Sequence, residues 1–336
     1  MTNKEIAQKV VDRMVEEINK GGSLPWVKPW DNGGNRPRPV MVVDGWTEIT
    51  ITPQFWNRAG KPYSGVNIWL LGASGHKGEF ITFTQCKKEG GSVKKGAKAS
   101  TVVYWNMIRK ETNELDENGN KKVKTIPILK YYNVFSIDDC EGLKKKPAPA
   151  PRVVRYPKTH YEYPEPKEGE RVPEFNDTAE AIIAGYVQRA DPLKLYRENY
   201  SSEAYYSPAQ DKVVVPSAKQ YTEIAEYYST LFHELGHSTG HASRLNRFAE
   251  AKGSAAFGSE SYSREELVAE MTSAIILNTI GMETGNTFRN STAYVQSWSE
   301  HIKNDPMMFV TAASRAEKAV EMILTGNSTE EASVDE

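Results

Sequence analysis

The run Leu231-Phe232-His233-Glu234-Leu235-Gly236-His237 constrains this chain more than any other stretch. On a helix, His-Glu-x-x-His sets two imidazoles one turn apart, the spacing at which two histidines grip one zinc ion. The flanking residues supply the helix. Ile224, Tyr228, Leu231 and Leu235 recur at helical spacing as an apolar stripe. At about 100° per residue, His233 and His237 fall on roughly the opposite side. One face is expected to pack and the other to hold metal.

A third ligand is available downstream in Ser263-Arg264-Glu265-Glu266-Leu267-Val268-Ala269-Glu270. Glu266 and Glu270 share a helix face, with Leu267, Met271 and Ile275 roughly opposite, so the design of the first helix is repeated. A three-histidine zinc pattern is excluded: Gly240 fits it, but its last position is Ser243, and His241 comes two residues early. His241 is left as a residue outside the ligand set, beside a ligand or the substrate, or as a plain turn histidine.

At 336 residues, with 39% hydrophobic and 26% charged content, the chain has the length for two ordinary domains and two cores. Charge divides them. Residues 1 to 146 hold 24 Lys and Arg against 16 Asp and Glu, a balance of +8; residues 147 to 336 hold 18 against 28, a balance of −10. The basic half also carries six of the seven tryptophans. A partner that is anionic and offers flat rings suits such a half, and nucleic acid is both. Cys86 and Cys140 lack C-x-x-C spacing and are expected to be buried thiols. The opening residues lack the apolar core of a secretion signal, and no run of eighteen apolar residues occurs. A soluble, cytoplasmic protein with no membrane partner is expected.

In the front half, Ile6, Val10, Met14 and Ile18 predict an amphipathic helix over residues 3 to 19. In Leu24-Pro25-Trp26-Val27-Lys28-Pro29-Trp30 the prolines forbid a helix, and Trp26 and Trp30 can stack bases. Gly60 to Asn67 reads as a loop opening a further element, with Lys61 and Tyr63 suited to a nucleic-acid strand. Strands are expected at Phe80 to Thr84, Thr101 to Trp105 and Tyr131 to Phe135. Between the first two lies a flexible basic turn region that includes Lys94 and Lys95, and Glu111 to Lys124 reads as a hairpin tip. Basic loops between aromatic strands point to single-stranded nucleic acid, cations tracking the backbone and rings accepting any base.

Residues 143 to 176 read as a proline-rich, semi-extended linker with no packed core. A helix resumes at Thr178 to Arg189. A hairpin flanks Ala209-Gln210-Asp211, and its second arm, Val213 to Val215, is a candidate strand for pairing with an extended substrate. Two further helices are expected at residues 291 to 303 and 307 to 324, before an acidic tail. The domain reading is therefore 1–142, linker 143–176, 177–325 and tail 326–336.

With both sets of motifs in view, the chain resembles the ArdC-type antirestriction proteins of conjugative plasmids and related mobile elements. The front half resembles their single-stranded-DNA-binding domain through Pro25-Trp26, Pro29-Trp30, Gly60 to Asn67, Phe83-Thr84-Gln85 and Gly90 to Gly96. The rear half resembles their zincin-like metallopeptidase domain through His233 to His237, Thr239-Gly240-His241, Ser243-Arg244-Leu245, Glu265 to Glu270 and Tyr294 to Trp298. The resemblance implies an α+β fold in both domains and a role in protecting incoming DNA from host restriction. It also implies zinc on His233, His237 and Glu266, with Glu270 orienting a ligand histidine, or with Glu270 in place of Glu266 as the third ligand. Glu234 would then act as the general base toward a protein substrate that the sequence does not name, and Tyr262 would donate to the oxyanion. The alternative is a non-catalytic protein that coats and shields single strands and carries a structural or idle zinc site.

Overall fold

The computed structural model describes residues 5–8, 11–12, 39–43, 46–72, 74–115, 121–157, 173–190, 192–199, 203–248, 260–282 and 305–325. Trp26 and Trp30, the expected helix at 291 to 303 and the acidic tail lie outside these residues. Within the first expected helix, residues 5–8 and 11–12 are helical.

In the front half the longest ladder joins β6 (Ser100–Leu115) to β7 (Lys121–Ser136). It is antiparallel, running from Ser100 opposite Val134 to Glu111 opposite Val123. Much of the expected hairpin tip is thus paired strand. β4 (Gly78–Thr82) adds antiparallel to β7, and β3 (Phe55–Asn57) lies parallel to β4, giving the order β3-β4-β7-β6. The helix α1 (Val66–Gly72) follows the glycine-containing loop, as expected.

The strand expected through Thr84 stops at Thr82. There the Thr82 side chain accepts from the Gln85 backbone N–H at 3.2 Å, and Gln85 Oε1 accepts from the Thr82 N–H at 3.3 Å. This reciprocal cap starts helix α2 (Phe83–Lys88), because Thr-x-x-Gln satisfies the donors that a helix start leaves bare. After α2, β5 (Ser92–Val93) pairs with β8 (Cys140–Glu141). Cys86 is buried and Cys140 half-buried, both free thiols.

The first part of the expected linker is built into the fold. Lys146 donates its backbone N–H to Glu79 at 2.8 Å and its Nζ to the Arg58 carbonyl at 2.8 Å. Residues Arg152–Pro157 form β9, antiparallel to β2 (Trp46–Ile51), which in turn pairs with β1 (Pro39–Val43). The physical reason is alternation. Tyr156 is buried and Val154 packs against the core, while Val153 points outward at 48% exposure. Proline richness hides a period-two pattern. Residues 158–172 of the proline-rich stretch lie outside the described residues.

The rear half has α3 (Asp177–Arg189), β10 (Lys194–Asn199), β11 (Tyr205–Ser207) and β12 (Lys212–Pro216). These are followed by α4 (Ile224–Ser238), α5 (Glu260–Thr279) and α6 (Pro306–Thr325). β12 is central, parallel to β10 and antiparallel to β11. The expected hairpin is present. However, Val213 and Val215 are fully buried on a strand flanked on both sides, so β12 has no free edge for a substrate.

The two halves share their cores, against the expectation of one core each. One cluster joins Val66 and Leu70 of α1 and Val103 of β6 to Leu267 and Met271 of α5 and Phe309 of α6. A second joins Ile49 of β2 to Ile182 of α3, Leu231 of α4 and Ile323 of α6. α5 makes this unavoidable. Leu267 and Met271 serve the first cluster while Ile276 and Leu277 serve the second. A helix apolar on most of its circumference has to be covered on most of it. Among the described residues, no helix is long and apolar enough to cross a membrane.

Candidate metal centre

α4 packs through Tyr228, Leu231, Phe232 and Leu235, all without solvent exposure, and this burial fixes the phase of His233, Glu234 and His237. α5 approaches α4 closely at Gly236, where a Cβ would lie 3.2 Å from the Ala269 Cα. A side chain there would push the two helices apart by a few tenths of an ångström, and the close approach brings the glutamates of α5 to the histidines.

The imidazoles stand edge to face, 4.8 Å between centroids. Their Nε2 atoms face one another at 3.2 Å. Glu266 spans both, with Oε2 3.4 Å from His233 Nε2 and Oε1 3.3 Å from His237 Nε2. Taken with one donor atom from each residue, the three lie within 4.8 Å of one another. Donors about 2.0–2.1 Å from a zinc-sized ion at tetrahedral angles sit about 3.3 Å apart. The closest approaches match that spacing. Two imidazole nitrogens and a carboxylate form a donor set for a divalent metal, and the residues fit it.

The outward nitrogens are also provided for. Glu270 Oε2 lies 3.3 Å from His233 Nδ1, and Glu265 Oε1 lies 3.5 Å from His237 Nδ1. Burial disfavours a charged His233, yet Glu266 and Glu270 outweigh it and push its pKa up to about 10. Burial works against the charged Glu266 as well, but the two histidines hold its carboxyl far below the usual range. Metal binding competes with these protons. Glu234 is buried, and burial raises its pKa against the pull of His233 and His237; its carboxylate accepts the backbone N–H of Tyr206 on β11. A carboxyl so placed is more basic than one in water.

The other expected site residues fall as follows. His241 accepts the Ser243 N–H at 3.2 Å, touches Ser243 Oγ at 2.8 Å and lies 4.0 Å from Asp211. It shapes the turn after α4 and is not in the donor cluster. Tyr262 lies in the first turn of α5, and its side chain is outside the described set. Lys61, Lys94 and Lys95 are exposed, although Lys94 Nζ donates to the Asp138 carbonyl at 2.8 Å. Tyr63 departs from its expected role: its ring packs edge-on against Phe80, 6.5 Å between centroids, and burial pushes its pKa up to about 12.

Four residues escape sequence reasoning. Glu265 does so because Glu266 and Glu270 alone fit the ligand-plus-four spacing, and Arg247, which holds Glu265, is too distant in sequence to suggest it. Phe83 and Tyr132 read only as residues of expected strands. Both are exposed, at 52% and 45%, and Lys87 Nζ sits 5.8 Å above the Phe83 ring. Thr82 pairs with Val134, so Phe83 leaves the sheet beside the positions of Asn133 and Tyr132.

Residues 4–135 match the family model of the N-terminal domain of anti-restriction factor ArdC, and residues 190–315 match that of the zincin-like metallopeptidase. The two matches follow one another in the order expected from the motifs. The chain has an ArdC-type N-terminal domain followed by a zincin-like domain. Its fold is similar to the crystal structure of antirestriction protein ArdC from plasmid R388. The metal-free form gives a TM-score of 0.57 at 28% identity, and the Mn(II)-bound form 0.59 at 29%. Each alignment covers 94% of this chain and 96% of the other. It is also 29% identical to a DNA primase TraC of Escherichia coli over 96% of its own length, and 26% identical to protein y4eC of Sinorhizobium fredii over 94%. The chain spans 27% and 20% of two TraC primases, against 91% of y4eC. In this chain the zincin-like model covers His233, His237 and Glu266 alike.

Proposed function

We propose that this chain is an antirestriction protein of a mobile element, acting in the cytoplasm, that binds single-stranded DNA with its front half and cleaves protein with its rear half. The observation that carries the second part is the convergence of His233, His237 and Glu266 beside the buried Glu234. Zinc is the cation that suits two imidazoles and one carboxylate with room for a further ligand. When bound, it supplies Lewis acidity toward a peptide carbonyl and toward water.

The protein's own groups do the rest. Glu234 takes a proton from the attacking water and delivers it to the leaving amine nitrogen. The Tyr206 backbone amide of β11 favours the charged form of this carboxylate. β11 is the outer strand of its sheet among the described residues, so an extended substrate pairs there rather than on β12. Tyr262, at the start of the helix that carries Glu266, is retained as the oxyanion donor. The division at 1–142, 143–176 and 177–325 is retained as a functional one, although the cores run across it.

For the front half, Lys61, Lys94 and Lys95 supply cations. Phe83 and Tyr132, with Trp26 and Trp30, offer rings, and Tyr63 supports the fold beneath them. Binding is expected to weaken steeply with salt and to prefer single strands over duplex.

The test is Glu234→Gln in full-length protein. It should keep zinc and oligonucleotide binding and lose cleavage of a protein substrate. If the variant still protects DNA in a transfer assay, the shielding alternative is the biological role and the peptidase is dispensable to it.

A further inference from the structure

A histidine that coordinates through Nε2 carries its proton on Nδ1, and whatever accepts that proton fixes both tautomer and ring angle. The two histidines are supported differently. His233 Nδ1 faces Glu270, which lies one turn beyond Glu266 on α5. His237 Nδ1 has a single partner among the described residues, Glu265, and Glu265 is gripped from behind by an arginine.

That arginine is Arg247, nine-tenths buried, and four of its five N–H donors are engaged. Nε donates to Glu265 Oε2 at 3.0 Å and Nη2 to Oε1, a two-point hold on the carboxylate. Nη1 donates to Thr239 Oγ1 at 2.7 Å, and Nη2 also reaches the Gly236 carbonyl at 2.9 Å. The guanidinium therefore fastens the carboxylate to the last turn of the very helix that bears His237. The chain makes room for it at Gly240, where a Cβ would stand 3.0 Å from Arg247 Nη2. A planar fork in a fixed socket sets the position of both carboxylate oxygens.

We propose that Glu265 and Arg247 are positioning residues that hold the His237 ring with Nε2 turned toward the metal, as a counterpart to Glu270 behind His233. The proposal rests on the metal reading given above. The three glutamates of α5 then divide the labour, with Glu266 binding the ion, Glu270 orienting the first histidine and Glu265 the second. Arg247 also occupies the Glu265 carboxylate with its own hydrogen bonds, which keeps it from wandering into the ligand set.

Three full-length variants test this. Glu265→Gln removes the charge and the two-point hold; Glu265→Asp keeps the charge and shortens the reach; Thr239→Val breaks the brace without touching the carboxylate. Zinc affinity is read by competition with a chromophoric chelator, melting temperature by calorimetry, and the His237 Nδ1–H signal by proton NMR of zinc-loaded protein. Loss of an outer partner of a ligand histidine typically weakens metal affinity about 10- to 100-fold. Glu265→Gln should show that loss and shift the Nδ1–H signal, Glu265→Asp should recover part of both, and Thr239→Val should lower the melting temperature with zinc affinity within about twofold. The proposal fails if Glu265→Gln leaves the affinity and the NMR signal unchanged. It also fails if Thr239→Val weakens zinc as much as Glu265→Gln does, since the network would then be only a brace. Wild-type protein that takes up no zinc would overturn the metal reading itself, a different result from either.

Discussion

The two halves of this molecule build their sites in opposite ways. In the rear half the chemistry is concentrated: two helices meet at Gly236, and five charged or titratable groups lie within a few ångströms of one another. In the front half the groups proposed to meet single strands are dispersed over exposed rings and lysines on α2, the β4–β7–β6 ladder and the loops between them. A metal demands a fixed polyhedron of donors, so a single displaced residue ruins the site. A polynucleotide presents many repeated phosphates and bases, and no single contact is decisive. Concentrated sites should therefore fail abruptly on substitution and dispersed ones by degrees.

The largest effect expected is at Glu234. Removing a general base costs about 10²- to 10⁴-fold in rate, so Glu234→Gln should abolish cleavage, measured by the release of peptide products, while metal content stays at the wild-type level. Next comes stability. Arg197 pairs with Glu180, both buried, and receives further support from Tyr227, while Tyr228 donates to Glu180 at 2.7 Å. Glu180→Ala strands a buried guanidinium at a cost of about 3–5 kcal/mol, read as a lower midpoint in urea denaturation. Equal loss from breaking the part-exposed Arg58–Glu89 pair would mean that burial does not set the worth of these ion pairs, since Arg58 also holds the buried Glu79. That pair should be worth far less, because Glu89 stands in solvent.

Smaller effects are expected in front. Phe83→Ala should weaken oligonucleotide binding by about 1–3 kcal/mol, the usual loss of one stacked base, in fluorescence anisotropy with a labelled oligothymidylate. A larger fall would mean that the front half has a concentrated site after all. Smallest is Lys95→Gln, which should reduce the slope of log affinity against log salt by about 0.7 and change little else.

The difference between the halves also decides what can be read from the sequence. His233, Glu234 and His237 are legible because helical periodicity converts a spacing of four into a shared face, and Glu266 because the same rule applies to the next helix. Glu265 and Arg247 are not, since their meeting depends on how the chain after α4 folds back, and no periodicity encodes that. β9 is concealed by the prolines around it, and the helix at Phe83 by a β-rich composition that Thr82 and Gln85 overrule through capping. The expectation of two separate cores fails for a related reason. Length and charge asymmetry divide a chain into halves, but the apolar girth of α5 obliges those halves to share what they bury. Tyr63 shows the limit of reading aromatics in loops: a ring beside a glycine turn can serve the core as readily as a ligand.

The claim on which the rest depends is that one divalent ion sits between α4 and α5. Zinc K-edge X-ray absorption on the full-length protein measures this directly. The account predicts one zinc per chain with a first shell of two imidazole nitrogens and carboxylate or water oxygens, and loss of the imidazole scattering when His233 and His237 are replaced by alanine. Sulfur in the first shell, or a spectrum unchanged by that double substitution, would contradict it.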